Sequence, residues 1–126
     1  MRNKYVNVAQ ISEQKFRELI KCFALDLSAS DTGKLINHKI STVNRVYNEM
    51  RFRIYDYCFL NLPDSLQYLD DNESFRAYSK HRLMKYSGIQ TDKFPMFLKE
   101  TEFRFINRHN NLYKILLKMF RDDPLF

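Results

Sequence analysis

A glutamate and a lysine seven residues apart mark the segment DDNESFRAYSKHRLMKY, residues 70 to 86. If the segment is helical, Glu73 and Lys80 lie within about 20° of each other around the axis and about 10 Å apart along it. That separation is too long for the ion pair formed by residues four apart. A carboxylate can hold a metal ion and a lysine can hold a phosphate, so the pair could be half of a phosphoryl-transfer site.

Both residues also have a purely structural interpretation. Asp70 and Glu73 have the spacing of a capping box, which would satisfy backbone N–H groups at the start of the helix. Glu73 could instead pair with Arg76 on the next turn, and Lys80 could be an ordinary solvated lysine. The spacing alone leaves the two interpretations open.

The elements that would position these residues are predicted to be helices. The chain has 126 residues and 44% of them are hydrophobic, which is enough for one domain or two small ones with a packed core. It has only two glycines and three prolines, whereas a strand-rich fold of this length needs more turn residues. We therefore predict an all-α fold.

The charge is unevenly distributed. Residues 72–126 contain 11 Lys and Arg against 6 Asp and Glu, whereas residues 1–71 contain 10 against 9. A basic balance favours a polyanion as partner, and double-stranded DNA before a membrane. The N-terminus lacks the apolar core of a signal peptide, and no apolar run approaches a membrane span. We expect a cytoplasmic, nucleoid-associated protein without a membrane partner.

The cysteines and histidines predict neither a zinc site nor a disulfide framework. Cys22 and Cys58 are far apart, and His38, His81 and His109 are scattered. Free thiols fit a reducing compartment. Cys22 lies off the middle of an apolar stripe, where we expect a small packed residue without reactivity.

The N-terminal half predicts three helices. Ser12 is expected to cap the first, which has an apolar stripe at spacings of three and four. A second helix spans residues 29–36, a turn follows at residues 37–39, and a third helix starts near Ser41, with Ser41 or Thr42 as its cap. The expected buried residues are Phe16, Leu19, Ile20, Phe23, Leu27, Ile36, Ile40, Val43, Val46, Tyr47 and Met50.

The second and third helices match the pattern of a helix-turn-helix motif, with Gly33 where the two helices must pass closely. The outward side of the third helix is polar and short or forked, the kind of side chain that reaches base edges and phosphates. An ordinary helical hairpin would more often carry Glu and Lys there. The predicted DNA-binding residues of this motif are Lys39, Ser41, Thr42, Asn44, Arg45 and Asn48.

The C-terminal half predicts further helices. One helix spans residues 72–86, with Phe75, Tyr78, Leu83 and Tyr86 on one face, and a terminal helix is capped by Asn110 or Asn111. We predict a DNA-binding domain at residues 1–60, a connector at 61–71 and a helical region at 72–126. The basic residues expected to contact phosphates there are Lys80, Arg82, Lys85, Arg104 and Arg108, although Arg104 could instead satisfy nearby carboxylates.

Residues 73–87 resemble the end of the catalytic domain in a family of bacterial insertion-sequence transposases. The matching residues are Glu73, Ser74, Phe75, Lys80, Arg82, Leu83 and Lys85, with Arg76 where that family has Trp. The segment LKETEFRFINR, residues 98–108, resembles the C-terminus of the family closely, and the N-terminal blocks from ISEQKFRELIKCFALDLSA to TVNRVYN resemble its helix-turn-helix domain. Together these blocks cover most of the chain.

The resemblance implies a ribonuclease-H-like site in which two Asp and Glu73 hold Mg²⁺ or Mn²⁺ and Lys80 holds DNA. The sheet that carries the two Asp has no counterpart here, because only residues 51–72 lie between the matching blocks, and neither Asp56 nor Asp64 has a strand-like context. The chain therefore resembles a truncated transposase whose metal site is a relic. It would bind the ends of its element and could pair with itself or with a full-length transposase.

Three alternatives stay open. Asp70, Asp71 and Glu73 could form a makeshift metal cluster that supports DNA strand transfer. The chain could instead be a small transcription regulator that uses the same helix-turn-helix motif. It could also be a gene remnant that does not fold stably.

Overall fold

The computed structural model describes residues 4–5, 11–61, 73–86 and 88–126, without the side chains of residues 59–61. In these residues the fold is all-α, as predicted. The helices are α1 (Glu13–Ala24), α2 (Ala29–Ile36), α3 (Ile40–Asn61), α4 (Glu73–Lys85), α5 (Phe94–Ile106) and α6 (Leu112–Asp122), with a 3-10 turn at Thr91–Lys93. No helix in this part of the chain combines the length and apolar character needed to cross a membrane.

The chain forms two compact units. The first unit combines Met1–Met50 with Asn111–Phe126, and the second unit is Arg51–Asn110. This division differs from the domain boundaries expected from the sequence at residues 60 and 71, because α6 packs with α1 and belongs to the first unit. The boundary between the units falls within α3.

Aromatic packing between α1 and α6 builds the core of the first unit. Ser12 caps α1 as predicted, since its Oγ accepts a hydrogen bond from the Lys15 backbone N–H at 3.2 Å. The ring of Phe16 stacks on Tyr5 and meets Phe120 of α6 edge-on, with centroid distances of 5.4 and 6.4 Å. Asn111 caps α6 by accepting a hydrogen bond from the Lys114 backbone N–H.

A tight turn joins α2 to α3. The bounds of α2 are those predicted. Asn37 caps its C-terminus in the left-handed conformation, with a positive φ of 55°. The cap predicted for α3 at Ser41 or Thr42 is wrong: the helix already begins at Ile40, so both residues lie within its first turn. The backbone N–H of Val43 donates to the carbonyl of Lys39, which starts the helical pattern earlier.

The close approach predicted at Gly33 is confirmed. A Cβ at this position would lie 2.8 Å from Cγ1 of Ile40 and 3.1 Å from the carbonyl oxygen of His38. Ile40 itself is 44% exposed, so its predicted burial is wrong. A further contact between α2 and α3 is polar: the hydroxyls of Thr32 and Tyr47, both fully buried, share a hydrogen bond of 2.6 Å.

The second unit packs α4 against α5 through aromatic rings. Phe75 and Tyr78 both contact the ring of Phe105, and Tyr86 contacts Phe97. These three residues of α4 were predicted to share a face. The fourth, Leu83, is exposed, and the buried position beside it is taken by Arg82. A charged side chain in that place was not expected, and its partners are described below.

Candidate functional site

The N-terminal part of α3 has two opposite stripes, one buried and one polar. Residues 43, 46, 47 and 50 are buried, as the sequence predicts. The polar stripe uses the same spacing two residues earlier, which places it on the other side of the helix. We define its four exposed residues, Ser41, Asn44, Arg45 and Asn48, as the outer face of α3. Thr42, also predicted to bind DNA, is only half-exposed at the margin.

The turn before α3 is held in place by a side chain from α1. The ammonium group of Lys15 donates a hydrogen bond to the carbonyl of Ile36, in the last turn of α2. Free carbonyls at a helix C-terminus attract cations, so this contact stabilises the end of α2. The exposed Lys39 therefore follows a turn that is fixed on one side by Lys15 and on the other by the Gly33 contact.

The guanidinium group of Arg45 has an aromatic neighbour. Its Cζ atom lies 4.5 Å from the centroid of the Phe126 ring, within the range of a cation–π contact. Arg45 is exposed and Phe126 half-buried. The arginine of the outer face thus contacts a residue of the first unit that is 81 positions away in the chain.

Glu73 and Lys80 lie in α4 as predicted, and both are exposed. The capping role proposed for Asp70, and the metal cluster with Asp71, lie outside the described residues. Asp56 is exposed on α3. Asp64, like Asp70 and Asp71, lies outside the described residues. Within the described residues, no three His, Cys, Asp or Glu side chains come together as metal ligands.

Arg82 does not lie where a DNA contact requires. Its side chain is 2% exposed, so it cannot reach a phosphate, and its prediction as a DNA-binding residue is wrong on this geometry. Nη2 donates to Oε2 of Glu100 at 2.9 Å, and Nη1 donates to Oγ1 of Thr101 at 2.8 Å. The guanidinium also lies over the rings of Tyr86 and Phe97, at 5.2 and 4.8 Å.

Glu100 is the centre of this buried arrangement. Its Oε1 accepts from Nε of Arg51 at 2.7 Å, and its Oε2 accepts from Nε of Arg104 at 2.8 Å as well as from Arg82. We call these four residues the Glu100 cluster. They join the C-terminal half of α3, α4 and α5, which indicates that the cluster holds the second unit together.

The electrostatics of the cluster favour an ionised carboxylate. Burial alone raises the pKa of Glu100, but the charges of Arg104, Arg51 and Arg82, with the hydrogen bond from Arg104, outweigh burial and lower the pKa to about 2. The segment LKETEFRFINR therefore has a structural role in this chain. Sequence reasoning missed Glu100, although its spacing of four from Arg104 was a signal for an ion pair.

The other basic residues predicted to contact phosphates differ in their exposure to solvent and in their partners. Lys80 and Lys85 are exposed on α4. Arg104 is buried and serves a carboxylate, the alternative stated for it from the sequence. Arg108 is exposed, but its guanidinium lies 3.8 Å from the ring centroid of Phe105 and donates to that residue's carbonyl.

Neither cysteine has the environment of a reactive thiol. Burial, followed by the charge of Glu102, raises the pKa of Cys58 to about 11 against a smaller opposing effect of Lys99. Burial also raises the pKa of Cys22, more than the hydrogen bond with Thr32 lowers it. Because the thiolate is the reactive form, both side chains are expected to be inert packing residues.

Comparisons with known proteins found no match for this chain. No protein-family model, no curated protein and no solved structure matches it.

Proposed function

We propose that this chain binds double-stranded DNA by laying the outer face of α3 in the major groove. The observation that carries the proposal is the pair of opposite stripes on α3. One stripe anchors the helix in the first unit, and the other presents Ser41, Asn44, Arg45 and Asn48 to solvent. An arginine can bond guanine bidentately and an asparagine can bond adenine, so the face has the groups that direct readout uses.

The elements around α3 support the same function. A short helix, a three-residue turn and a longer helix follow one another as in helix-turn-helix proteins, in which the second of the two enters the groove. Lys39 stands at the start of that helix, where an ammonium group could meet a phosphate. The overall charge of +6 favours association with a polyanion.

We further propose that the DNA is the terminal repeat of an insertion sequence and that the chain derives from a transposase. The support is the set of matching residues in α4 and α5. Glu73, Lys80 and Lys85 are exposed, as contacts with metal or DNA would require, whereas Arg82 is buried. Selection of an inverted repeat from fragments of the surrounding genome would agree with this origin, whereas selection of a promoter would favour a transcription regulator.

The test is a binding series on the full chain. A randomised duplex pool is first enriched by the wild-type protein, and affinity for the enriched duplex is then compared with affinity for a mixed-sequence duplex. Arg45→Ala should weaken binding to the enriched duplex by about 1–3 kcal/mol and relax selection at one position. Lys39→Ala should weaken binding to both duplexes alike and reduce the salt dependence of that binding.

Arg17→Ala is the matched control. Arg17 lies on α1, outside the outer face, and its removal changes the net charge by the same amount as Arg45→Ala. Arg17→Ala should weaken binding to the two duplexes slightly and equally. Failure of the wild-type chain to enrich any sequence, or equal effects of Arg17→Ala and Arg45→Ala on the enriched duplex, would refute recognition by α3.

A further inference from the structure

The last residues of the first unit contact both Tyr5 and α3. After α6 ends at Asp122, the backbone N–H of Leu125 donates to the carbonyl of Tyr5 at 2.8 Å. The side chain of Leu125 is fully buried. Residues 123–126, which we call the tail, are therefore anchored, and Phe126 follows the anchor directly.

The anchored tail brings an aromatic ring to the outer face of α3. The Phe126 ring centroid lies 4.5 Å from Cζ of Arg45, so the ring borders the guanidinium group at van der Waals distance. An arginine side chain has much rotamer freedom, and ordering it on a base costs conformational entropy. A ring beside the guanidinium restricts that freedom before any DNA arrives.

We infer that Phe126 is a positioning residue for DNA recognition, which acts by holding Arg45 in the orientation that it uses on DNA. The inference rests on the proposed function of α3. It extends the recognition site from a single helix to the tail, which is distant in sequence. Phe126 is assigned no contact with a base: its effect passes through Arg45, and a variant that lacks Arg45 should be indifferent to it.

The test is a double-mutant cycle on the full chain. Phe126→Ala should weaken binding to the enriched duplex about two- to fivefold, the range of an exposed cation–π contact, and leave the mixed-sequence duplex nearly unaffected. In the Arg45→Ala background the same substitution should have no further effect. Phe126→Tyr, which keeps an aromatic ring, should bind as the wild type, whereas Phe126→Leu should bind as Phe126→Ala.

A second measurement follows the contact without DNA. The Nε–H resonance of Arg45 should be displaced upfield by the ring in the wild-type and Phe126→Tyr proteins, and return toward the value of a solvated arginine in Phe126→Leu. Thermal melts of the same variants identify any loss of folding. A Phe126→Leu protein that is folded but retains full selectivity would overturn the inference.

The other outcomes are also decisive. Tighter binding by Phe126→Ala would mean that the tail competes with DNA, and an equal loss in the presence and absence of Arg45 would mean that Phe126 supports the fold in general. Each contradicts a positioning role while leaving DNA binding by α3 intact. If the wild-type chain enriches no duplex, the proposed function itself fails and the role of Phe126 fails with it, even where the resonance shows the contact.

Discussion

Three guanidinium groups share the carboxylate of Glu100, so its removal should strongly lower the free energy of unfolding. In Glu100→Gln, the guanidinium groups of Arg82 and Arg104 would stay buried without their carboxylate. Breaking a buried ion pair from one side costs about 3–5 kcal/mol. Urea unfolding should show a loss of that size. Glu73→Gln is the control, because Glu73 is exposed in the first turn of α4, and its loss should cost no more than about 1 kcal/mol. Similar losses in the two variants would contradict the central role of Glu100.

The lowered pKa of Glu100 predicts the pH range over which acid destabilises the fold. The pKa falls from 4.5 to about 2 on folding, so the unfolded chain binds the proton more readily than the folded protein. The stabilisation is complete above about pH 4.5 and is lost as the pH falls toward 2. Over that window the wild type should lose roughly 3 kcal/mol more stability than Glu100→Gln. Parallel pH profiles of the two proteins would show that Glu100 does not titrate as assigned.

Helical spacing in the sequence predicts some of the buried residues of this chain but not others. The burial of Val43, Val46, Tyr47 and Met50 follows from helical spacing, and the structure confirms it. Arg82 could not be placed in the same way, because arginine is almost never fully buried unless it is paired. Its partner Glu100 lies 18 residues away on another helix. Local periodicity contains no information about such a pair.

At the scale of elements, the turn between α2 and α3 depends on the missing side chain of Gly33. Alanine normally stabilises a helix by about 1 kcal/mol relative to glycine. Here the added Cβ would lie 2.8 Å from the branched side chain of Ile40, and overpacking of this kind costs about 1–3 kcal/mol. Gly33→Ala should therefore lower the stability measured by thermal melts.

A second substitution separates the clash from other effects. Ile40→Ala removes the atom nearest to the new Cβ, although the carbonyl of His38 at 3.1 Å remains. In that background Gly33→Ala should be close to neutral. Equal destabilisation in the two backgrounds would mean that the Ile40 side chain is not what restricts this position. The bounds of α2, which contains Gly33, could be predicted from sequence because their signals are local, whereas the start of α3 was predicted at Ser41 and lies at Ile40. The pairing of α6 with α1 could not be predicted, because it joins distant segments.

At the scale of the whole molecule, the first unit is closed by a helix from the far end of the chain. Phe120 of α6 is fully buried and contacts Phe16 of α1 edge-on. Phe120→Ala should destabilise the first unit by about 3–5 kcal/mol. In hydrogen exchange, protection should fall in α1 and α3 as far as Met50 more than in α5, because α5 belongs to the second unit. Lys118→Ala, an exposed change on α6, is the control and should leave protection unchanged. Uniform loss throughout the chain would contradict the division into two units.

Catalysis by two metal ions needs carboxylates that converge from a rigid scaffold. The metal ions of such sites lie roughly 4 Å apart. Glu73 supplies one exposed carboxylate from α4, and the described residues offer no group of three possible ligands. A displacement of even 1 Å in a catalytic group can reduce a rate about a hundredfold. Lys80 offers charge for a phosphate but is no metal ligand.

We therefore predict that the chain alone binds DNA without cutting or joining it. The purified protein is incubated with the duplex that it enriches, in Mn²⁺ and in Mg²⁺, and the strands are resolved on a denaturing gel. No metal-dependent product is expected from the wild type. Glu73→Ala and Lys80→Ala should differ in one respect only: Lys80→Ala should weaken binding to every duplex slightly, because it removes one exposed positive charge from the chain. Cleavage by the wild type that requires both metal and Glu73 would contradict this prediction and restore a metal-dependent enzyme.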